Sequence, residues 1–439
     1  MPTVSPGFDR TNSRRLMVLC TTTGYQTRAF VQAAAEMGLE VVFGSDRCHV
    51  LEDPWSDGAI PLRFEEPDTA AAQIAELARK NPLQGIVVLG DRPSPAAARA
   101  CQLLGFPHHS PQAADVCRDK YRSRGRLQAS GLNVPHFARF PVRSETNEVC
   151  PRVGRDIGFP CVLKPLALSA SRGVIRANNP DEFVEGFERI RTLLRSPETQ
   201  VMREETSDYI QVEEYIEGAE IAVEGLVISG QPKILAIFDK PEPLEGPFFE
   251  ETIYVTPARM TSSTREVLEN TLERSIAALE LSNGPFHAEL RINGRGIWPL
   301  EIAARCIGGL CSRALRFHCP DWGKNVSLEW VVIALALGRD VSGVRREEQA
   351  SGVMMIPVEQ EGIYEGIGGV NHALEIAGVE DVVITAKPGQ RMIQWPEGCS
   401  YPGFIFARGR EPEFVERVLR CAHGKLRFKI SPALPVVRA

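Results

Sequence analysis

The sequence has no CxxC pair and no regular cysteine spacing, although eleven cysteines are spread over its 439 residues. An odd, scattered set fits reduced thiols and excludes a disulfide framework. Long apolar runs are also missing. The longest, such as Leu16 to Cys20 and Val331 to Leu337, fall far short of the roughly 20 residues that a membrane helix needs. Arg14-Arg15 precedes an apolar run too short for a signal-peptide core, so a cytoplasmic protein with no membrane partner is expected. An excess of positive charge is absent too. A formal net charge of -6 without a basic stripe argues against a general binder of nucleic acid or membrane surfaces. Cys306, Cys311 and Cys319 with His318 match no usual zinc spacing.

What is present is ordinary globular material, 43% hydrophobic and 24% charged, in a length that admits about two to four domains. After a polar start over residues 1–13, Leu16 to Cys20 reads as a buried strand, Arg28 to Met37 as a helix and Leu39 to Gly44 as a second strand. Helices over Ala70 to Lys80 and Ser94 to Leu104 flank a strand at Gly85 to Gly90. That alternation predicts a doubly wound parallel layer, whose strand ends hold ligands. The turn at Thr21 to Gly24 and the pair Asp91-Arg92 lie at such ends. Neither carries the GxGxxG spacing of a phosphate-binding turn.

Further along, Asp115 to Ala129 reads as one helix containing Lys120, and Cys161-Val162-Leu163-Lys164 reads as a buried strand that delivers a cation at its end. A charged head after three apolar residues calls for an anionic partner. The small-residue loop Ala167 to Gly173 follows, then a helix over Pro180 to Arg195 and an alternating strand over Ile221 to Ile228. Lys240 sits in a Pro/Gly-rich loop, a place where functional side chains are often carried. Ser263 to Leu279 has helical apolar spacing.

The stretch Gly284 to Gly309 organises the rest. Phe286 to Ile292 alternates, Gly296 to Ile302 is β-rich, and Asn293-Gly294-Arg295-Gly296 between them reads as a hairpin turn. Glu289 and Glu301 then lie on neighbouring strands about 5 Å apart, so two carboxylates on one face would share divalent cations and leave positions open for phosphates. Arg305 adds a fixed positive fork, and Gly308-Gly309 allows close backbone approach to an anion. Cys311 to His318 and Ser327 to Gly338 look helical, Val341 to Gln349 reads as a linker, and residues 350–439 read as a compact tail with strands at Gly352 to Pro357, Val382 to Ala386, Gly403 to Arg408 and Leu426 to Ile430 around a helix at Pro412 to Cys421.

HAEL followed by LEIAAR and IGG resembles the metal-binding core of the ATP-grasp superfamily. The spacing Glu213-x-x-x-x-Gly218-x-Glu220 resembles its hinge, and GFIFARG, a helix, then KLRFKI resembles the C-terminal domain of its L-amino acid ligase and carnosine synthase branch. The resemblance implies an ATP-grasp fold of mixed α/β and α+β class: an N-terminal Rossmann-like domain at 14–112, an ATP-grasp domain at 113–338 with its small nucleotide lobe at about 150–220, and a capping domain at 350–439. It implies ATP contacts from Lys120, Lys164, Ser169, Ser171, Gly173, Glu213, Tyr215, Ile216 and Glu220, with Glu213 at the adenine edge and Glu220 at the ribose. It further implies Mg2+ or Mn2+ on Glu289 and Glu301, catalytic roles for Arg305 and Lys240, and substrate contacts from Arg305, Gly308 and Gly309.

The reaction implied joins a small-molecule carboxylate to an amine through an acyl phosphate, with release of ADP. A bicarbonate-activating enzyme and a catalytically degenerate nucleotide-binding scaffold are the alternatives, and a homodimer is compatible with all three. The chain departs from the family twice. Its phosphate loop, ALSASRG, has one glycine where several are usual, and Ala303 stands where an asparagine often adds a metal contact; altered metal use is expected, with water filling that position.

Overall fold

The computed structural model describes residues 14–21, 25–46, 59–166 and 168–433. The polar first 13 residues, most of the turn expected at Thr21 to Gly24, and Ala167 lie outside them. The N-terminal layer is a parallel sheet in the spatial order Ile60–Pro61, Glu40–Ser45, Arg15–Cys20, Gly85–Leu89. Its apolar strands are buried on both faces, as parallel strands covered by helices must be. Asp91 stands two residues beyond the end of the last of them.

The helix Leu328–Ala336, apolar but for Glu329, is buried along its whole length. It touches both the helix Thr27–Glu36 and the strand Gly85–Leu89, and so fastens the N-terminal layer to the rest of the molecule. A helix so largely apolar belongs in such an interior, and its one acid, Glu329, accepts from the Ser312 hydroxyl at 2.5 Å. No helix among the described residues is long and apolar enough to cross a membrane.

The small lobe is a four-stranded antiparallel sheet, ordered Phe137–Pro141, Tyr209–Glu214, Cys161–Pro165, Ile175–Ala177. It packs on the helix Pro180–Leu194 through Phe183, Phe187 and Ile190. The single helix expected over Asp115 to Ala129 is two, Pro111–Arg118 and Lys120–Ala129. Asp119 breaks it: its backbone is extended and its carboxylate accepts from the amides of Tyr121 and Arg122, capping the second helix. Likewise Cys311 to His318 is a short 3-10 turn at Cys311–Ala314 followed by a strand at Phe317–His318.

The central sheet has eight strands, and it does not stop where the tail begins. From Gly296–Ala303 at one edge it runs through Gly284–Asn293, Ala219–Ile228, Gln231–Asp239 and Ile253–Thr256, then on to Ala350–Met355, Gly403–Gly409 and Val379–Ile384. The join is the antiparallel pairing of Ile253–Thr256 with Ala350–Met355. Residue 350 therefore begins a new sequence module but not a new sheet. Beside it, Gly362–Gly368, Arg391–Met392 and Arg427–Ser431 form a smaller sheet.

Candidate active site

The hairpin forms as its turn residues require, with strands Gly284–Asn293 and Gly296–Ala303 joined by Gly294-Arg295. Glu289 and Glu301 are directly opposite in register, which puts both carboxylates on one face. A bulge follows immediately, since Leu290 pairs with Pro299 and Leu300 is the extra residue. Period-two alternation places His287, Glu289 and Arg291 on that face. The next strand, Ala219–Ile228, answers each of them: Glu224 faces His287, Ala222 faces Glu289 and Glu220 faces Arg291. The small Ala222 leaves room above Glu289, while the flanking positions are ion pairs, Glu224 to His287 Nδ1 at 3.1 Å and Glu220 to Arg291 Nε at 3.0 Å.

Lys240 and Glu251 complete this face. The ammonium of Lys240 is buried among Glu220 at 2.8 Å, Glu289 at 3.4 Å and Glu251. Burial alone would lower the lysine, but the three carboxylates outweigh it and hold it well above its ordinary value. Burial and the nearby Glu289 push Glu251 up to about 7. His287, which burial would lower, is lifted to about 9 by Glu224 and Glu289. Carboxylate oxygens of Glu220, Glu251 and Glu289 lie within 4.8 Å of one another. Hard oxygen donors in that density suit a magnesium-class cation. Glu301 stands apart from this trio, half-buried, with Lys120 Nζ at 3.4 Å.

In the small lobe, the strand Cys161–Pro165 carries Lys164 to a buried carboxylate. Lys164 Nζ donates to Glu213 at 2.6 Å, Arg124 Nε to the other Glu213 oxygen at 2.9 Å and Gln211 to the same oxygen at 2.6 Å. Burial opposes ionisation of Glu213, yet Arg124 and Lys164 prevail and hold it down to about 2. Arg124 also donates to the carbonyls of Pro299, at 2.5 Å, and Leu300, at 2.8 Å. The carbonyls around the bulge are thus tied to the lobe.

The side chain expected at the adenine edge, Glu213, is therefore 2% exposed and engaged by protein cations. The residue expected at the ribose, Glu220, belongs to the acid cluster. The Tyr215 ring meets both Arg176 and Arg291, whose guanidinium carbons lie 4.0 and 5.0 Å from its centroid, and the Ile216 carbonyl accepts from Arg291 at 2.5 Å. Gly218 has φ +124, and a Cβ there would strike the Ile292 carbonyl; glycine is required where this turn crosses the hairpin.

Lys120 opens its helix and reaches between two parts of the site, donating to the Leu168 carbonyl at 3.2 Å and facing Glu301. Leu168 begins the described part of the small-residue loop, in which Ser169 is exposed, Ser171 half-buried and Gly173 buried. From the other side, Arg305 Nε and Nη2 donate to the two oxygens of Asp91, both at 2.9 Å. Gly308 beyond it is exposed with open space around its Cα, and Gly309, at φ +62, packs beside Phe404. Lys120, Glu301, Arg305 and Asp91 thereby link the N-terminal layer, the hairpin and the lobe.

Sequence reasoning missed Arg124, Glu224, Glu251 and His287 as parts of this network. The alternation of His287, Glu289 and Arg291 against Glu220 and Glu224 was the available signal. Glu251 shares the Pro/Gly-rich segment that carries Lys240, which was its signal, and Arg124 had none in its neighbourhood.

Three family models match the chain: the ATP-grasp N-terminal domain over residues 31–108, the ATP-grasp domain over 157–314 and the L-amino acid ligase C-terminal domain 2 over 354–431. The L-amino acid ligase of Bacillus licheniformis superposes with a TM-score of 0.79 at 25% identity, covering 95% of this chain and 99% of that one. A protein called y4rH from Sinorhizobium fredii is 23% identical over 95% of this chain and 84% of its own length. The alanine–anticapsin ligase of Bacillus subtilis is 27% identical over 48% of this chain and 46% of its own, so the match spans about half the length of that relative. With this domain order on this fold, the chain belongs to the ATP-grasp superfamily and is an ATP-dependent carbon–nitrogen ligase of the branch that carries the L-amino acid ligase C-terminal domain.

Proposed function

We propose that the protein joins the carboxylate of one amino acid, or a related small acid, to the amine of another, through an acyl phosphate and with release of ADP and phosphate. The observation that carries this reading is the convergence of two lysines, the facing pair Glu289 and Glu301, and the Asp91-held Arg305 where the three parts of the chain meet. Phosphoryl transfer needs placement and neutralised charge more than covalent chemistry from the protein.

In this reading Lys164 and Lys120 meet phosphate oxygens, and the loop at Ser169 to Gly173 closes over them with amide and hydroxyl donors. Glu289 and Glu301, with Glu220 and Glu251 beside Glu289, are the residues that would hold magnesium or manganese, which would supply positive charge to offset that of the phosphates. Lys240 is the buried counter-ion of that acid set. Arg305, fixed by Asp91, orients the substrate carboxylate. A carboxylate oxygen attacks the terminal phosphorus and ADP leaves; the amine nitrogen then attacks the acyl carbon, losing a proton as phosphate departs. The names of the relatives, an L-amino acid ligase and an alanine–anticapsin ligase, support amino acids as the substrate class.

Hydroxylamine tests this reading. With ATP, magnesium and the right amino acid, an acyl hydroxamate should form with one ADP per product. ADP release that depends on bicarbonate, or release of AMP, would overturn it.

A further inference from the structure

The loop that covers the nucleotide phosphates in the reading above is poor in glycine, yet it takes a glycine-like path. Ala170 has φ 55 and Ser171 φ 54, two successive residues in the left-handed region that a Cβ disfavours. Such backbone persists only where its surroundings hold it. Gly173, at φ +74, closes the loop where a Cβ would meet Pro165 and Leu193.

The hold comes from the far end of the chain. Trp395 Nε1 donates to the Ala170 carbonyl at 3.2 Å, the Gly173 amide donates to the Pro396 carbonyl at 2.7 Å, and Arg172 Nε donates to the Glu397 carbonyl at 2.8 Å. On the helix behind the loop, Arg189 Nη2 donates to the Glu397 carboxylate at 2.7 Å. The segment is itself anchored. The Trp395 ring packs on Tyr401, centroids 5.0 Å apart, and Tyr401 on Phe404 at 6.0 Å, which lies in the central sheet.

We propose that Trp395-Pro396-Glu397 is a positioning strap, which fixes the phosphate loop in its nucleotide-binding shape and replaces the conformational freedom that further glycines would give. This rests on the reading of the loop as a phosphate cover. The strap touches the loop and not the reacting atoms, so it acts on ATP affinity and leaves turnover alone. It also gives the C-terminal module a task in nucleotide binding.

The test is calorimetric titration of a non-hydrolysable ATP analogue with magnesium, together with KM and kcat for ATP. Trp395→Phe keeps an aromatic ring, though a smaller one, and removes the N–H; it should weaken binding and raise KM roughly fivefold, the scale of one neutral hydrogen bond, with kcat held. The surface change Arg189→Gln should move binding in the same direction by about twofold. In a chain carrying Ala170→Gly and Ser171→Gly, the left-handed path no longer needs holding, and the loss from Trp395→Phe should shrink below about twofold. Unchanged affinity in Trp395→Phe, a fall in kcat alone, or an equal loss in both backgrounds would overturn the strap while leaving the nucleotide site standing. If the unaltered protein fails to bind the analogue, the nucleotide reading falls and the strap with it.

Discussion

Asp91 and Arg305 form a two-pronged ion pair, Nε to Oδ1 and Nη2 to Oδ2 at 2.9 Å each, that ties the end of a parallel strand to the residue just past the carboxylate hairpin. Burial works against the charge on both groups, but each outweighs it for the other: Asp91 is held below its ordinary value and Arg305 above its own. A planar fork gripped at two points has one orientation left.

Asp91→Asn keeps the shape and removes the charge. Hydroxamate formation should fall at least about tenfold in kcat/KM for the acid, while affinity for the ATP analogue stays within about twofold. A loss in nucleotide affinity alone would place Arg305 elsewhere in the mechanism. Stability should fall by roughly 3 kcal/mol, the scale for leaving one partner of a buried pair alone.

The two carboxylates of the hairpin should respond differently. Glu301→Gln faces Lys120 from a half-buried position and should abolish ADP formation with little change in Tm. Glu289→Gln should abolish it and also lower stability by about 2 kcal/mol, because Lys240 and His287 lose a charged partner. Activity of either variant at saturating magnesium would remove the pair from the metal site.

Lys164→Met should raise the Kd for ATP at least about tenfold, the scale of one charge-assisted bond. Arg124 still faces Glu213 in that variant, so the lobe should remain folded. Unchanged affinity would return Lys164 to a purely structural role.

Part of the protein's acid sensitivity should trace to Glu213. Its carboxyl is held down to about 2 in the folded lobe against an ordinary 4.5, so its contribution is complete above about pH 4.5 and is lost as pH falls toward 2. The difference corresponds to roughly 3 kcal/mol. Denaturant midpoints measured between pH 7 and 3 should fall for the unaltered protein, and fall less steeply for Glu213→Gln, which starts lower.

The hairpin was legible because its signals are local: the turn residues set the register, and register alone puts Glu289 opposite Glu301. Lys164 was legible as a charged head after an apolar run. Glu213 and Glu220 were legible as site residues but not by partner, since the cations that claim them, Arg124 and Lys240, arrive from distant segments. Asp91 stood at a strand end, as parallel sheets would have it, but nothing nearby told that it faces Arg305. The break at Asp119 was hidden because Arg118 and Lys120 on either side of it are ordinary helix residues and no proline or glycine marks the boundary. The tail resembled a separate unit because its sequence is one; its sheet is shared because Ile253–Thr256 had no recognisable partner until Ala350–Met355 was placed beside it.

That shared sheet sets how the molecule comes apart. Val255 faces Gly352, where an added Cβ would press on the Tyr254 carbonyl and on Val415. A chain stopped at residue 349 would bare the fully buried strand Ile253–Thr256 as an unpaired apolar edge, the kind of surface on which one chain templates another. Such a shortened protein should be recovered as aggregate, and the intact one should melt in a single transition that carries the tail and the central sheet together.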